Sequence, residues 1–206
     1  MYIINLDNNY LIKRYRMNVI LLRHGETDHN KSGLSQCGDI DTIMNEQGVK
    51  QSELTGKFLN KNYNINRIYS STLIRAKQTA NIISDIIDYD SDNIIYKSKL
   101  KESSKKILEQ VNITKEESKK IVGQRARLVF DEIIEENINN NSDILIVSHG
   151  AVIKNLIKNL FDLREISQNV ISDVGNCTIT VINIENNKFN LNLSYDNSHL
   201  QDLYFK

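Results

Sequence analysis

The chain contains no proline, so every turn in its 206 residues must be built from other residues. Gly, Asn, Asp and Ser have to mark the loops. Asn, Ile and Lys are abundant instead, and their AT-rich codons make that bias a matter of nucleotide composition rather than function. Cysteine is nearly as scarce: Cys37 and Cys177 lie far apart and fit no metal spacing. Two cysteines do not staple a secreted scaffold, which points to a reducing cytosol and a cytoplasmic location. No apolar run reaches membrane-spanning length, and no apolar stretch near the start suits a signal peptide, so neither membrane association nor export is expected. Net charge is missing as well, because 26 Lys and Arg balance 26 Asp and Glu. A neutral chain has no overall field to recruit nucleic acid, although a few focused cations can still hold a small phosphorylated molecule.

What is present is the profile of a globular protein, 40% apolar and 25% charged, long enough for one domain with a sizeable core. No internal repeat or linker divides it. The apolar pattern alternates between short buried strands and amphipathic helices. Residues 18–22, 67–70 and 143–147 read as strands, the first and last as continuous apolar runs typical of central parallel strands. Residues 48–60, 73–87 and 151–160 read as helices. Thr114 and Glu117 form a capping box for a longer helix over residues 115–138. Residues 178–185 and 188–194 form a hairpin turning at Asn186 and Asn187. This alternation predicts an α/β fold, a mainly parallel central sheet with helices on both faces. Residues 1–16 read as an N-terminal extension of unassigned structure, since Met17 directly precedes the first strand and is itself a candidate start.

Ligands of such sheets gather beyond the carboxyl ends of the strands. Three strands lead there into Arg23-His-Gly-Glu-Thr27, Ser70-Ser-Thr-Leu-Ile-Arg75 and Ser148-His-Gly150. Only four histidines occur in the chain, yet two of them follow strands and precede glycine. A glycine there lets backbone approach a ligand and leaves amide donors exposed. With Ser71 or Thr72 as N-cap, Arg75 falls in the first turn of its helix, where a cation opposes the dipole. An anion bound at that spot would neutralise both. The bland alternatives are a satisfied His24, a helix-capping His149, and an Arg75 paired with Glu26 or Glu46.

Arg23-His-Gly-Glu-Thr27, with Asn30 beyond it, resembles the signature of the histidine phosphatase superfamily, also called phosphoglycerate mutase-like. Gly38, Asp41, Met44, Asn45 and Gly48 resemble its next segment, with Met for Leu and Asn for Thr. Residues 70–80, the Val147-Ser-His-Gly150 motif and Asn176 resemble three further ones, all in order over most of residues 18–184. The resemblance implies a three-layer α/β/α sandwich of phosphoglycerate mutase-like fold, with residues 17–206 as a single histidine phosphatase domain. It implies a metal-independent phosphomonoesterase without cofactor, in which His24 becomes a phosphohistidine. Arg23, Arg75 and His149 would hold the phosphate, with Asn30 and the Gly150 amide as further donors. Glu102, in Leu100-Lys-Glu102, would be the general acid, and Glu109 stands where a second family glutamate often sits. Lys106 and Gln110 replace glycines usual around it.

Lys97, Lys99, Lys101, Lys105 and Lys106 surround Glu102 and read as a solvated face. Cys37 reads as a plain buried cysteine, and His29 and His199 carry no assigned role. The alternatives are a phosphoglycerate mutase, which usually carries a longer insertion before the second histidine, and a non-catalytic phospholigand-binding module. A small phosphorylated substrate is the expected partner, and homo-oligomerisation is left open.

Overall fold

The computed structural model of the chain describes residues 2–4, 11–13, 16–34, 37–104, 113–140, 142–161, 174–185 and 188–203. Within the stretch left unassigned by sequence, β1 (Tyr2–Ile4) and β2 (Leu11–Lys13) pair antiparallel as a small separate sheet. The chain continues as β3 (Arg16–Arg23), α1 (Asp28–Lys31), α2 (Glu46–Asn62), β4 (Ile65–Ser70) and α3 (Ile74–Ile86). Then come β5 (Ile95–Tyr96), α4 (Lys115–Asn137), β6 (Asp143–Ser148), α5 (Gly150–Leu160), β7 (Ile179–Glu185) and β8 (Lys188–Asp196). Six strands form one sheet in the order β5-β4-β6-β3-β7-β8. The first four are mutually parallel; β7 runs antiparallel to β3, and β8 to β7.

The continuous apolar strands are explained by burial on both faces. In β3, Val19 and Leu21 join one core while Ile20 and Leu22 join the other. Ile144 and Ile146 of β6 likewise oppose Leu145 and Val147. One core is closed by Val122, Val129, Phe130 and Ile133 of α4 with Ile153 and Ile157 of α5. The other is closed by Leu59 of α2 with Ala76, Ala80 and Ile83 of α3. Three layers result, because a strand with no polar face needs a helix on each side.

Several boundaries differ from the sequence expectations for local reasons. The first strand begins at Arg16, since Arg16 and Met17 pair with Glu185 and Ile184, and Met17 is fully buried. Helix α2 starts at Glu46 because the Asn45 side chain accepts from the Gly48 amide at 2.9 Å. Strand β5 is an addition to the expected elements: its two residues pair with Tyr69 and Ser70 and are too few to carry a periodic signal. The expected capping box at Thr114 and Glu117 is present. The hairpin of β7 and β8 is present too, with its turn at residues 186–187 outside the described residues.

Candidate active site

Strand register explains why distant motifs meet. Arg23 of β3 faces Ser148 of β6, and Ser70 of β4 faces Val147. The pairing continues one step past the strands: the His24 amide donates to the Ser148 carbonyl at 3.1 Å, and the Ser71 amide to that of Val147 at 2.9 Å. His24, His149 and Ser71 are therefore neighbours at one sheet edge. The two imidazole centroids lie 5.1 Å apart, and His149 Nε2 lies 2.8 Å from Ser71 Oγ.

His24 Nδ1 lies 2.8 Å from the carbonyl oxygen of Gly25. A carbonyl can only accept, so Nδ1 carries the proton and Nε2 presents its lone pair. Arg75 Nε donates to that Nε2 at 3.1 Å. Burial, then the charges of Arg23 and Arg75, hold His24 well below its ordinary pKa, and the imidazole is neutral. Burial does the same to His149, helped by His24, Arg75 and Arg23.

Arg75 is completely buried. Its Nη1 donates to the Ile40 carbonyl at 2.9 Å and stands 4.0 Å from Asp41 Oδ1. Neither Glu26 nor Glu46 takes it, since Glu26 accepts from Asn45 instead. The expected N-cap at Ser71 or Thr72 is also corrected: the cap position is Leu73, which has no side-chain acceptor. Asp41 serves in its place, accepting from the Ile74 amide at 2.7 Å, while Ser71 turns to His149. Arg75 does lie in the first helical turn. Its Nη2 and His149 Nδ1 are buried with no hydrogen-bond partner, an unfavourable state that an anion would relieve.

A cavity of about 500 Å³ opens over this group, lined among others by Arg23, His24, Asn30, Glu102, Gly150 and Lys154. Arg75 and His149 do not line it themselves but stand directly beside His24, which does. Arg23 Nη1 donates to the Val174 carbonyl. Asn30 closes a capping box with Thr27 and donates to Asn176 Oδ1 at 2.9 Å, while Asn176 Nδ2 donates to the His24 carbonyl at 2.9 Å. Glu102 accepts from the Ser103 amide at 2.9 Å. Burial pushes its carboxyl upward, opposed by the Ser103 and Ala151 amides and by Arg125 and Arg75.

The glycine after His24 is explained differently from the sequence reading. The Gly25 amide is not exposed to a ligand; it donates to Thr79 Oγ1 at 2.9 Å. A Cβ at Gly25 would stand 2.6 Å from the Gly48 carbonyl, and one at Gly48 2.2 Å from that of Glu26. These two glycines let the His24 loop press against the start of α2. Gly150 is different: a Cβ there would meet only ordinary contacts no closer than 3.6 Å, and its residue faces the cavity.

Of the basic cluster around Glu102, Lys97 and Lys99 reach Glu136 and Glu132 on α4; Lys99 is exposed as expected, whereas Lys97 and Lys101 are half-buried. Lys105, Lys106, Glu109 and Gln110 lie outside the described residues. Cys37 is half-exposed rather than buried, with Sγ 3.6 Å from Asp39. Among the described residues no three His, Cys, Asp or Glu side chains converge as a metal-binding set, and no helix is long and apolar enough to cross a membrane. Sequence reasoning missed Ser71 as the partner of His149, Lys154 and Arg125. Only Lys154 left a signal, one helical turn beyond Gly150.

The model of the histidine phosphatase superfamily, branch 1, matches residues 19–119 and 99–197. The chain therefore belongs to the histidine phosphatase superfamily. Fructose-2,6-bisphosphatase TIGAR of Xenopus tropicalis is 42% identical over 88 residues, 42% of this chain and 32% of that protein; the match thus spans about a third of such relatives. The broad-specificity phosphatase YOR283W of Saccharomyces cerevisiae is 24% identical over 85% of this chain and 81% of its own length. Phosphoserine phosphatase of Entamoeba histolytica, solved with 3-phosphoglyceric acid, superposes with a TM-score of 0.71 at 25% identity, over 89% of this chain and 99% of that one. The phosphoglycerate mutase of Bacillus anthracis shares the fold, with a TM-score of 0.74 at 21% identity over 91% and 96% of the two chains.

Proposed function

We propose that the protein is a metal-independent phosphomonoesterase of small phosphorylated metabolites, acting through a phosphohistidine on His24. One observation carries the reading. A neutral imidazole, its proton tied to a backbone carbonyl, sits among Arg23, Arg75 and His149 at the wall of a cavity. Such a nitrogen is a nucleophile with its charge partners already assembled.

The roles follow from the chemistry. Phosphate entering the cavity draws the Arg75 fork from His24 Nε2 onto its oxygens, satisfying the buried Nη2. His149, with Nε2 held by Ser71, offers Nδ1–H to another oxygen, and Arg23, Asn30 and the Gly150 amide complete the set. The Nε2–P bond forms as the ester P–O bond breaks, and Glu102 gives its proton to the leaving oxygen. Ionised Glu102 then takes a proton from a water that attacks phosphorus, releasing inorganic phosphate and restoring His24. The names of the relatives support small substrates that carry charge beyond the scissile phosphate, and Lys154 on the cavity wall suits a second anionic group. Free Cys37 and Cys177 suit a reducing cytoplasm.

The test is release of phosphate from an aryl phosphate in the presence of a chelator. His24→Ala should lose at least about 10³-fold in kcat/KM, and quenched wild-type enzyme should carry an acid-labile phosphoryl group absent from the variant. Full activity of His24→Ala would remove the mechanism. Binding of phosphate without any turnover would leave the binding-module alternative, and conversion of 3-phosphoglycerate to its 2-isomer would make the protein a mutase.

A further inference from the structure

The segment that carries Glu102 is held at each residue around it. Ser148 Oγ donates to the Leu100 carbonyl at 2.8 Å, and the Gly38 amide to the Ser103 carbonyl at 2.7 Å. A Cβ on Gly38 would fall 2.4 Å from the Glu102 carbonyl oxygen, so the loop lies directly on this backbone. The remaining hold comes from farther away in sequence. Arg125, in the middle of α4, donates from Nη2 to the carbonyl of Lys101, the residue before Glu102.

Arg125 is costly where it stands. It is half-buried, burial lowers its pKa, and its Nε is buried with no hydrogen-bond partner. An apolar side chain of similar volume would pack there at less expense. Among the described residues the carboxylate that its charge acts on is Glu102. Arg75 faces Glu102 as well, while Arg23, His24 and Lys154 share its cavity.

We propose that Arg125 is a positioning residue for the proton donor: through the Lys101 carbonyl and its facing charge it fixes the Glu102 carboxyl over the leaving oxygen. This rests on the reading of Glu102 as the general acid. Arg125 makes no contact with the reacting atoms. Its effect is expected only where a proton must be delivered.

The experiment measures kcat/KM against pH for phenyl phosphate, whose leaving oxygen needs a proton, and for 2,4-dinitrophenyl phosphate, whose leaving oxygen does not. Wild type, Arg125→Met, Arg125→Lys, Glu102→Gln and the Arg125→Met, Glu102→Gln double variant are compared. Arg125→Met should lose roughly 10- to 100-fold on phenyl phosphate and several-fold less on the dinitrophenyl ester. Its basic limb should move to higher pH, because removing a cation makes the Glu102 proton harder to release. Arg125→Lys, which keeps the charge without the fork, should recover the limb but only part of the rate. In the Glu102→Gln background, Arg125→Met should change nothing further. Equal losses on the two esters, an unmoved limb, or additive losses in the double variant would overturn the proposal. If Glu102→Gln itself spares phenyl phosphate, the general-acid reading falls and Arg125 falls with it. If Glu102→Gln behaves as an acid knockout and Arg125→Met does not depend on the ester, only the positioning role is lost.

Discussion

Each buried titratable group of the site holds its proton where its neighbours dictate. His24 keeps its proton on Nδ1 because the Gly25 carbonyl leaves no other option. Asn176 fixes the same turn from the other side, bridging the His24 carbonyl and the Asn30 amide group. Asn176→Ala should therefore cost about 1 kcal/mol, the usual net contribution of hydrogen bonds that are only half-buried. It should lower kcat/KM as well, and chemical denaturation beside aryl phosphate assays checks both. Glu102 behaves in the opposite sense. Burial raises its carboxyl above the ordinary 4.5, so the unfolded chain ionises it more readily than the folded one. The stability it contributes is present below that value and is lost as pH rises through the folded value. Glu102→Gln should accordingly melt higher than wild type at neutral pH, with the gap closing toward pH 4, even as turnover falls. A variant less stable than wild type at neutral pH would mean that the carboxylate is well solvated or well paired.

Elements matter here through the points at which they touch. Helix α2 can meet the His24 loop only because Gly25 and Gly48 lack side chains. Gly48→Ala places a methyl group where rigid backbone already stands, and overpacking of this kind costs about 1–3 kcal/mol. The exposed pair of Lys99 with Glu132 on α4 contributes at most about 1 kcal/mol, so the glycine contact is the stronger constraint. Thermal melts should rank Gly48→Ala well below Lys99→Ala, and the former should also lose activity as the His24 loop shifts. Helix α3 shows a related economy. Asp41 caps its first turn and stands near Arg75, so Asp41→Ala should cost about 1 kcal/mol of stability and raise KM for aryl phosphate.

Across the whole molecule, acid should act through the imidazoles. His24, His149 and His199 are all buried enough to hold their pKa below 6.5, burial being the largest cause in each. Below that value the unfolded chain takes up protons that the folded chain refuses, so stability falls as pH drops. His199 packs on Phe58 and bonds Thr55, away from the cavity. His199→Gln should make the loss of stability below pH 6.5 shallower without altering the pH profile of kcat/KM. Phosphate or vanadate should raise the midpoint of unfolding by binding only the folded state, and Arg75→Ala should abolish most of that protection.

The division between sequence and structure follows from what is local. Continuous apolar strands, the capping box at Thr114 and Glu117, and the motifs around His24, Arg75 and His149 were legible in sequence. Each expresses periodicity or chemistry within a few residues. The doubly buried strands even dictated the three layers. Short β5 left no periodic signal, and the cap supplied by Asp41 to a helix far along the chain could not be read from Ser71 or Thr72. Register alone brings His24 beside His149, since parallel pairing is set by packing on both faces of the sheet. Arg125 stayed invisible for the same reason. In sequence it is one more charge on a helix, and only the fold lays the Lys101–Glu102 backbone against it.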